Sequence, residues 1–264
     1  MSKGELYTYV TNKQAKSKKG TLVASIKGTL SRDIIDVLNK IPQQQRQKVK
    51  EVTLDMANNM SLAVKMSFPN AIQTIDHFHV IRLATEALQH LRIKIRWEEM
   101  DKENQAIKQA KEKGKKYKPI LLSNEDTPKQ LLARCRYIIV KKMNEWTKSQ
   151  MERAMLLFKK YPILEKAYFH VLQLRAIYKN SKREEAQSEL MNWLIKNKEL
   201  NIKEFNTVAF TLNERIQTIL NFFTYRNTNA NAESFNAKIK LFRANLRGVT
   251  DTDFFLFRLE KLFS

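Results

Sequence analysis

The stretch VKEVTLDMANNMSLAVKMSFPNAIQTID, residues 49–76, decides the fold class. Its two ends, residues 49–54 and 71–75, are short apolar runs rich in β-branched side chains, a pattern typical of strands. The segment between them, residues 58–66, has the character of a short helix that leads to Pro69. A strand, a helix and a second strand joined by short connections predict two parallel neighbours linked by a crossover helix.

The residues before this stretch add a hairpin and a helix. Residues 6–11 and 21–26 are aromatic and β-branched, and the polar, lysine-rich segment 12–20 between them has the composition of a turn. A helix follows, for which Ser31 is the expected N-cap and which Pro42 ends. This part of the chain therefore predicts a small α/β unit.

The chain changes to a helical pattern from about residue 78. Apolar residues three and four positions apart predict a long amphipathic helix, and they are Ile81, Ala84, Leu88, Leu91 and Ile95. Five further helices are predicted at residues 128–142, 147–160, 162–179, 183–198 and 204–225. With only five glycines and five prolines, the chain has few helix breakers. The predicted fold class is α/β plus α, a small mixed unit combined with a large helical block.

The net charge indicates a polyanionic partner. Forty-eight Lys and Arg residues against 27 Asp and Glu give +21 at pH 7 and a pI near 9.9. Each phosphate that such a chain neutralises releases condensed counterions, so nucleic-acid binding is favoured. Charge alone leaves two alternatives open, a basic ribosome-associated protein and a protein that is simply soluble.

Two features of the composition exclude other classes of protein. Cys135 is the only cysteine, so the chain can form neither an internal disulfide framework nor a zinc site with several cysteines. No run of about eighteen apolar residues could span a membrane, and the first residues lack the apolar core of a secretion signal. We expect a reducing cytosol as the location and no membrane partner.

Three acidic residues are candidates for metal-assisted chemistry. Asp55 and Asp76 end the two strands of the opening stretch, where ligand-binding side chains of open α/β sheets collect. Glu233 lies at the start of a predicted helix in TNANAESFNAKIKLFRANLRGV, residues 228–249. Carboxylates that converge from separate elements suit hard cations such as Mg²⁺. Structural roles are the alternative, with Asp55 capping a turn and Glu233 stabilised by its helix dipole.

The predicted C-terminal helix separates an apolar stripe from a polar face. The stripe consists of Ala232, Phe235, Ile239 and Phe242. Glu233 lies on the neighbouring face, and Asn229 or Asn231 is the expected cap of the helix. The basic residues that could contact DNA phosphates are Lys238, Lys240, Arg243 and Arg247. A solvated basic face is the alternative interpretation of these four side chains.

Three segments resemble the ISL-three type of bacterial insertion-sequence transposases, in the subgroup common in Bacteroidetes. They are VTLDMANNM at residues 52–60, FPNAIQTIDHFHVIRLATEALQHLR at residues 68–92, and the segment at residues 228–249 quoted above. The resemblance covers essentially the whole chain. Its most specific parts are the D-x-x-H spacing from Asp76 to His79 and the A-E-S-F-N-x-K-I-K segment that contains Glu233.

The resemblance implies an RNase H-like core that is interrupted by an all-helical insertion. Residues 1–77 would form the first part of the core, residues 78–227 the insertion, and residues 228–264 the catalytic helix and tail that complete the core. Asp55 would be the second catalytic acid and Glu233 the third. Both would be ligands of Mg²⁺, and two ions are expected in an intact site. Asp76 and His79 would be accessory residues, with Asp76 either near the metals or orienting His79.

The function implied by the resemblance is DNA cleavage at insertion-sequence ends followed by strand transfer to a target. The expected partners are the transposon ends, the target DNA and further copies of the chain, because two ends must be joined. The expected location is the bacterial cytoplasm, in association with the nucleoid.

In such enzymes the first catalytic acid lies on a strand just before the segment that matches residues 2–6. That strand is expected to be missing here, so the chain is interpreted as a transposase domain with impaired cleavage. The alternative is a non-catalytic DNA-binding remnant or regulator. A third explanation is that Met1 is a wrongly chosen start, which an in-frame Asp-Glu pair upstream in the gene would reveal.

Overall fold

The computed structural model describes residues 6–16, 18–226, 228–246, 249 and 251–264. The four strands are β1 Tyr7–Thr11, β2 Leu22–Lys27, β3 Glu51–Leu54 and β4 Ile72–Ile75. The helices are α1 Ser31–Leu38, α2 Gln43–Arg46, α3 Asn58–Ser67, α4 His77–Glu112, α5 Pro128–Arg134, α6 Lys148–Lys160, α7 Pro162–Ile177, α8 Arg183–Leu200, α9 Lys203–Glu214, α10 Ile216–Tyr225, α11 Ala230–Asn245 and α12 Thr252–Phe263.

The chain divides into two compact units. The first, here called the core unit, combines Met1–His79 with Gln217–Ser264, and the second, the helical unit, is Val80–Ile216. All four strands belong to the core unit. The combination of a small mixed unit and a large helical one agrees with the predicted α/β plus α class.

The strands form two pairs. β1 and β2 are antiparallel, with Tyr7 opposite Lys27 and an irregularity between Val10 and Thr11, so the predicted hairpin is present. β3 and β4 are parallel, with α3 between them in the chain, which confirms the predicted parallel neighbours. Among the described residues each strand pairs with one other strand, giving two separate two-stranded sheets.

Strand β2 explains why the C-terminal helices belong to the core unit. Its side chains alternate between buried and more exposed positions, as a half-buried strand requires. Ala24 and Ile26 belong to a cluster with residues of α1 and α3, including Ile34. Leu22 belongs to a second cluster with residues of α11 and α12, including Phe235. One strand thereby connects the N-terminal helices with the helix that carries Glu233.

The start of α1 differs from the prediction. Ser31 is the first residue of the helix, and Leu30 occupies the N-cap position without a side-chain cap. The helix therefore begins without the predicted hydroxyl cap, although Asp33 lies in its first turn, where the helix dipole favours a negative charge.

The helical unit confirms the predicted stripe of α4. Ala84, Leu88, Leu91 and Ile95 are buried, and Ile81 is half-buried. The helix predicted at residues 204–225 is divided into α9 and α10 at Arg215. No helix in the described part of the chain is long and apolar enough to span a membrane.

The helix predicted at residues 128–142 ends at Arg134 instead. Beyond it the backbone continues in 3₁₀ turns, Cys135–Tyr137 and Met143–Glu145. Three side chains bind backbone carbonyl groups in this stretch. Trp146 donates to the carbonyl of Ile138, Arg175 to that of Val140 and Tyr168 to that of Lys141. Tertiary hydrogen bonds therefore satisfy carbonyl groups beyond the end of the regular helix.

Candidate functional site

The parallel register places Asp55 and Asp76 beside each other. The last paired residues of the two strands are Leu54 and Ile75, so the aspartates are the next residue of each strand. The backbone N–H of Asp76 also donates to the carbonyl of Leu54 at 3.2 Å. Parallel neighbours end at the same edge of a sheet, and this edge is where the site begins.

The half-buried Asp55 carboxylate shapes the turn that follows β3. Its Oδ1 accepts the backbone N–H of Ala57 at 2.8 Å, and Ala57 is the N-cap residue of α3. The turn-capping role that the sequence offered as an alternative is therefore present. Among the described residues this is the one hydrogen bond that the carboxylate accepts.

The Asp76 carboxylate, in contrast, is buried and fully engaged. Oδ1 accepts the backbone N–H of Phe78 at 2.9 Å and lies 3.1 Å from Nδ1 of His77. Oδ2 accepts the backbone N–H of Asn229 at 2.7 Å. Burial raises the pKa of Asp76, but the bonds from His77, Phe78 and Asn229 outweigh it and lower that pKa to about 2. The negative charge of Asp76 is thus stabilised mainly by backbone N–H groups of the protein itself, as in a structural anchor.

The two histidines beside Asp76 make different contacts with it. The ring of His77 is half-buried, with its centroid 5.1 Å from that of Phe222. His79 donates its backbone N–H to the carbonyl of Asp76 at 3.1 Å. The Asp76 carboxylate lies beside the ring of His77, and the role of Asp76 in orienting His79 stays a prediction.

Glu233 is exposed in the first turn of α11, close to the anchor. Its backbone N–H donates to the carbonyl of Asn229 at 2.8 Å. Asn229 is the N-cap residue of α11 by position, although its side chain makes no cap bond. Because the N–H of Asn229 bonds to Asp76, the start of the Glu233 helix is attached to the end of β4. No group of three His, Cys, Asp or Glu side chains within the described residues could hold a metal ion.

Helix α11 has the two predicted faces. Phe235 and Ile239 are buried, and Ala232 and Phe242 are half-buried beside them. Lys238 and Lys240 are exposed, as Glu233 is, and Arg243 is half-buried. Arg247, the fourth predicted DNA contact, lies outside the described residues. Lys240 is seven positions after Glu233, so the two side chains point from the same side of the helix.

Sequence reasoning missed Lys13 as a neighbour of the site. Its Nζ donates to Oγ1 of Thr53 at 2.8 Å. Thr53 and Asp55 are two positions apart, although Asp55 lies just beyond the end of β3. Burial lowers the pKa of the Lys13 ammonium, while the carboxylates of Glu51 and Asp76 act in the opposite direction. No sequence signal distinguished Lys13 from the other lysines of its turn.

The Asp76 anchor predicts a measurable loss in Asp76→Asn. Its folded pKa of about 2 lies below the ordinary 3.8, so the ionised carboxylate stabilises the fold. That stabilisation is complete above about pH 5 and is lost as the pH falls from about 4 towards 2. We expect the variant to lose about 2 kcal/mol of unfolding free energy at pH 7 in urea titrations, and to depend less on pH below about 5.

Asp33→Asn is the matched control for this measurement, because Asp33 is an exposed first-turn aspartate of α1. We expect it to change the unfolding free energy by less than about 0.5 kcal/mol. Equal losses in the two variants would contradict the anchor.

The comparisons with known proteins gave one match. The family model described as transposase, that of the ISL-three type of DDE transposases, matches residues 1–259. No curated protein and no solved structure matches the chain.

Proposed function

Because the chain belongs to the ISL-three type family of DDE transposases, we propose that its core unit performs DNA cleavage and strand transfer at insertion-sequence ends. One observation carries the proposal. Asp55 lies at the end of a parallel strand pair, and the neighbouring Asp76 attaches the start of the Glu233 helix to that same pair. The strand pair that ends at Asp55 and the helix that carries Glu233 are therefore connected by the hydrogen bond from the N–H of Asn229 to Asp76.

Asp55 and Glu233 are the proposed ligands of Mg²⁺. Both offer carboxylate oxygens without cysteine, the donor set that this hard cation prefers. The second oxygen of Asp55 and the exposed carboxylate of Glu233 fit such a role. When bound, Mg²⁺ would activate the attacking hydroxyl and stabilise charge on the scissile phosphate. Asp76 would hold the two elements together, and its engaged oxygens argue against a role as ligand.

We further propose that the two strand pairs are parts of one RNase H-like sheet, with the helical unit as an insertion. β1 and β3 each have one partner among the described residues, so each has an edge at which another strand could pair. A strand parallel to β3 would bring its end to the edge where Asp55 lies. An acid on such a strand would supply the third carboxylate that a site for two Mg²⁺ ions requires.

DNA is the proposed substrate and partner. Membership of a transposase family implies DNA binding, and the net charge of +21 favours it independently. Lys240 and Lys238 are exposed on the same helix as Glu233, where they could contact phosphates near the site, as could Arg243. Because transposition joins two ends, we propose that several copies of the chain assemble on the DNA.

A second candidate function is DNA binding without cleavage, as a remnant or regulator of transposition. The observation that favours it is the absence of a three-residue metal-binding group within the described part of the chain. Two carboxylates alone hold two Mg²⁺ ions poorly, because each ion needs several oxygen ligands.

The experiment that separates the two functions is nicking of a DNA duplex in the presence of Mg²⁺ or Mn²⁺. The chain is assayed beside a form extended at its N-terminus by a strand that carries an Asp-Glu pair. Because Asp55 and Glu233 alone would hold two Mg²⁺ ions poorly, we expect more cleavage by the extended form than by the chain itself. Cleavage by neither form would favour the DNA-binding remnant, and equal cleavage by both would mean that the metal site is built from other residues.

A further inference from the structure

The turn between β1 and β2 carries a concentrated positive charge. Residues 12–20 contain no acidic side chain and four lysines, Lys13, Lys16, Lys18 and Lys19. Lys13 is half-buried and directed to Thr53, whereas the other three are exposed. These three exposed side chains are here called the lysine turn. The two groups of lysine therefore have different environments within one short segment.

The backbone around the lysine turn has a defined conformation. The N–H of Asn12 donates to the carbonyl of Thr21 at 2.8 Å, which closes the base of the turn. The side chain of Asn12 accepts the N–H of Gln14 at 3.0 Å. Lys16 and Gly20 adopt left-handed backbone conformations with φ of 47° and 83°, which reverse the chain direction. The base of the turn is thus held independently of any ligand.

Two hydrogen bonds attach this turn to the elements of the candidate site. Lys13 Nζ donates to Thr53 Oγ1, two residues before Asp55. Asn231 Nδ2 donates to the carbonyl of Lys13 at 3.4 Å, and Asn231 is two residues before Glu233. Both proposed metal ligands therefore lie within two residues of a contact to Lys13, which belongs to the same short segment as the lysine turn.

We propose that the lysine turn, Lys16, Lys18 and Lys19, binds DNA backbone phosphates next to the bond that Asp55 and Glu233 address. The inference rests on the proposed function for the identity of the ligand. Lysine ammonium groups bind phosphates as point charges, so the turn holds DNA without reading its sequence. The lysine turn would position the duplex, and Lys238 and Lys240 are exposed on α11, the helix that carries Glu233.

The composition of the turn favours DNA over a lipid surface. Segments that insert into membranes combine basic side chains with exposed apolar ones. Ala15 is the one apolar residue of the sequence from 12 to 20, and it is half-buried. The turn therefore offers charge without an apolar anchor, which suits a phosphate backbone in water.

The test measures how the affinity for a labelled duplex of about 30 base pairs changes with salt, by fluorescence anisotropy between about 50 and 300 mM KCl. The triple variant Lys16→Gln, Lys18→Gln and Lys19→Gln should bind more weakly. Each lost phosphate contact lowers the slope of log affinity against log salt by about 0.9, so we expect a decrease of about 2 to 3. The triple variant with Arg at the same positions should restore the slope.

The matched control removes the same charge elsewhere, with Lys113→Gln, Lys115→Gln and Lys116→Gln in an exposed segment of the helical unit. Its slope should change by less than about 1. Equal changes in the two Gln variants would overturn the inference, because general charge would then explain binding. The inference is also overturned if the lysine-turn variant binds DNA normally but no longer binds vesicles of anionic phospholipid. Failure of the unaltered chain to bind DNA would instead reject the proposed function itself.

Discussion

Glu233→Gln is expected to lower metal-dependent DNA cleavage by more than about 100-fold, since losing a metal ligand should cost at least as much as losing one of its supporting partners. The amide keeps the size of the side chain and loses the charge that a cation requires. Affinity for duplex DNA should stay within about twofold, because the carboxylate is exposed and its loss should leave the packing of α11 intact. Cleavage and binding are measured on the same duplex, in the form of the protein that nicks DNA.

The control for Glu233→Gln is Glu184→Gln. Glu184 is an exposed acid in the first turn of α8, so both changes remove one negative charge from the first turn of a helix. Only the Glu233 variant should lose cleavage. Asp55→Asn supplies a second test, because the asparagine Oδ1 can still accept the N–H of Ala57 and preserve the turn. Normal cleavage by Glu233→Gln would show that the assignment of this site is wrong.

Phe235→Ala is expected to cost about 3 to 5 kcal/mol of unfolding free energy, the range for truncating a fully buried phenylalanine. Phe235 is completely buried in the cluster that joins β2, α11 and α12. The centroids of the Phe235 and Phe263 rings are 5.0 Å apart, and the two rings are nearly perpendicular. The loss should be concentrated in the core unit, with increased hydrogen exchange along α11. Urea denaturation and hydrogen-exchange mass spectrometry measure the two effects.

Leu241→Ala is the control for the Phe235 variant. Leu241 lies on the same helix but is 63% exposed, so its truncation should cost less than about 0.5 kcal/mol. Similar losses in the two variants would mean that the Phe235 cluster does not hold the Glu233 helix.

The strand, helix and strand of residues 49–76 could be predicted because their pattern is local. Two short β-branched runs and a helical segment between them leave few topologies, and the observed parallel register of β3 and β4 follows. The stripe of α4 was predictable for the same reason, since helical period and burial coincide. Sequence reasoning identifies the elements in which the pattern of buried residues follows the periodicity of a helix or a strand.

The features that escaped prediction depend on partners far away in the chain. Residues 135–142 form no regular α-helix, and three of their carbonyls accept hydrogen bonds from the side chains of Trp146, Tyr168 and Arg175. The role of Asp76 is set by a backbone group 153 positions away, and that of Lys13 by a hydroxyl 40 positions away. No periodic pattern within a short segment of sequence predicts hydrogen bonds between residues so far apart. The positions of the candidate carboxylates were visible in the sequence, but the contacts that connect their elements were not.

The division of the core unit into two sequence segments has a consequence for synthesis on the ribosome. Gln217–Ser264 is made only after the helical unit, Val80–Ile216, which is continuous in sequence. At about 5 to 20 residues per second, translating the roughly 140 residues between the segments takes roughly 7 to 30 seconds. During that interval Leu22 of β2 lacks the residues of α11 and α12 that bury it. The Asp76 carboxylate likewise lacks the hydrogen bond from the N–H of Asn229. The helical unit can fold first, and the site assembles only after Asn229 and α11 have been synthesised.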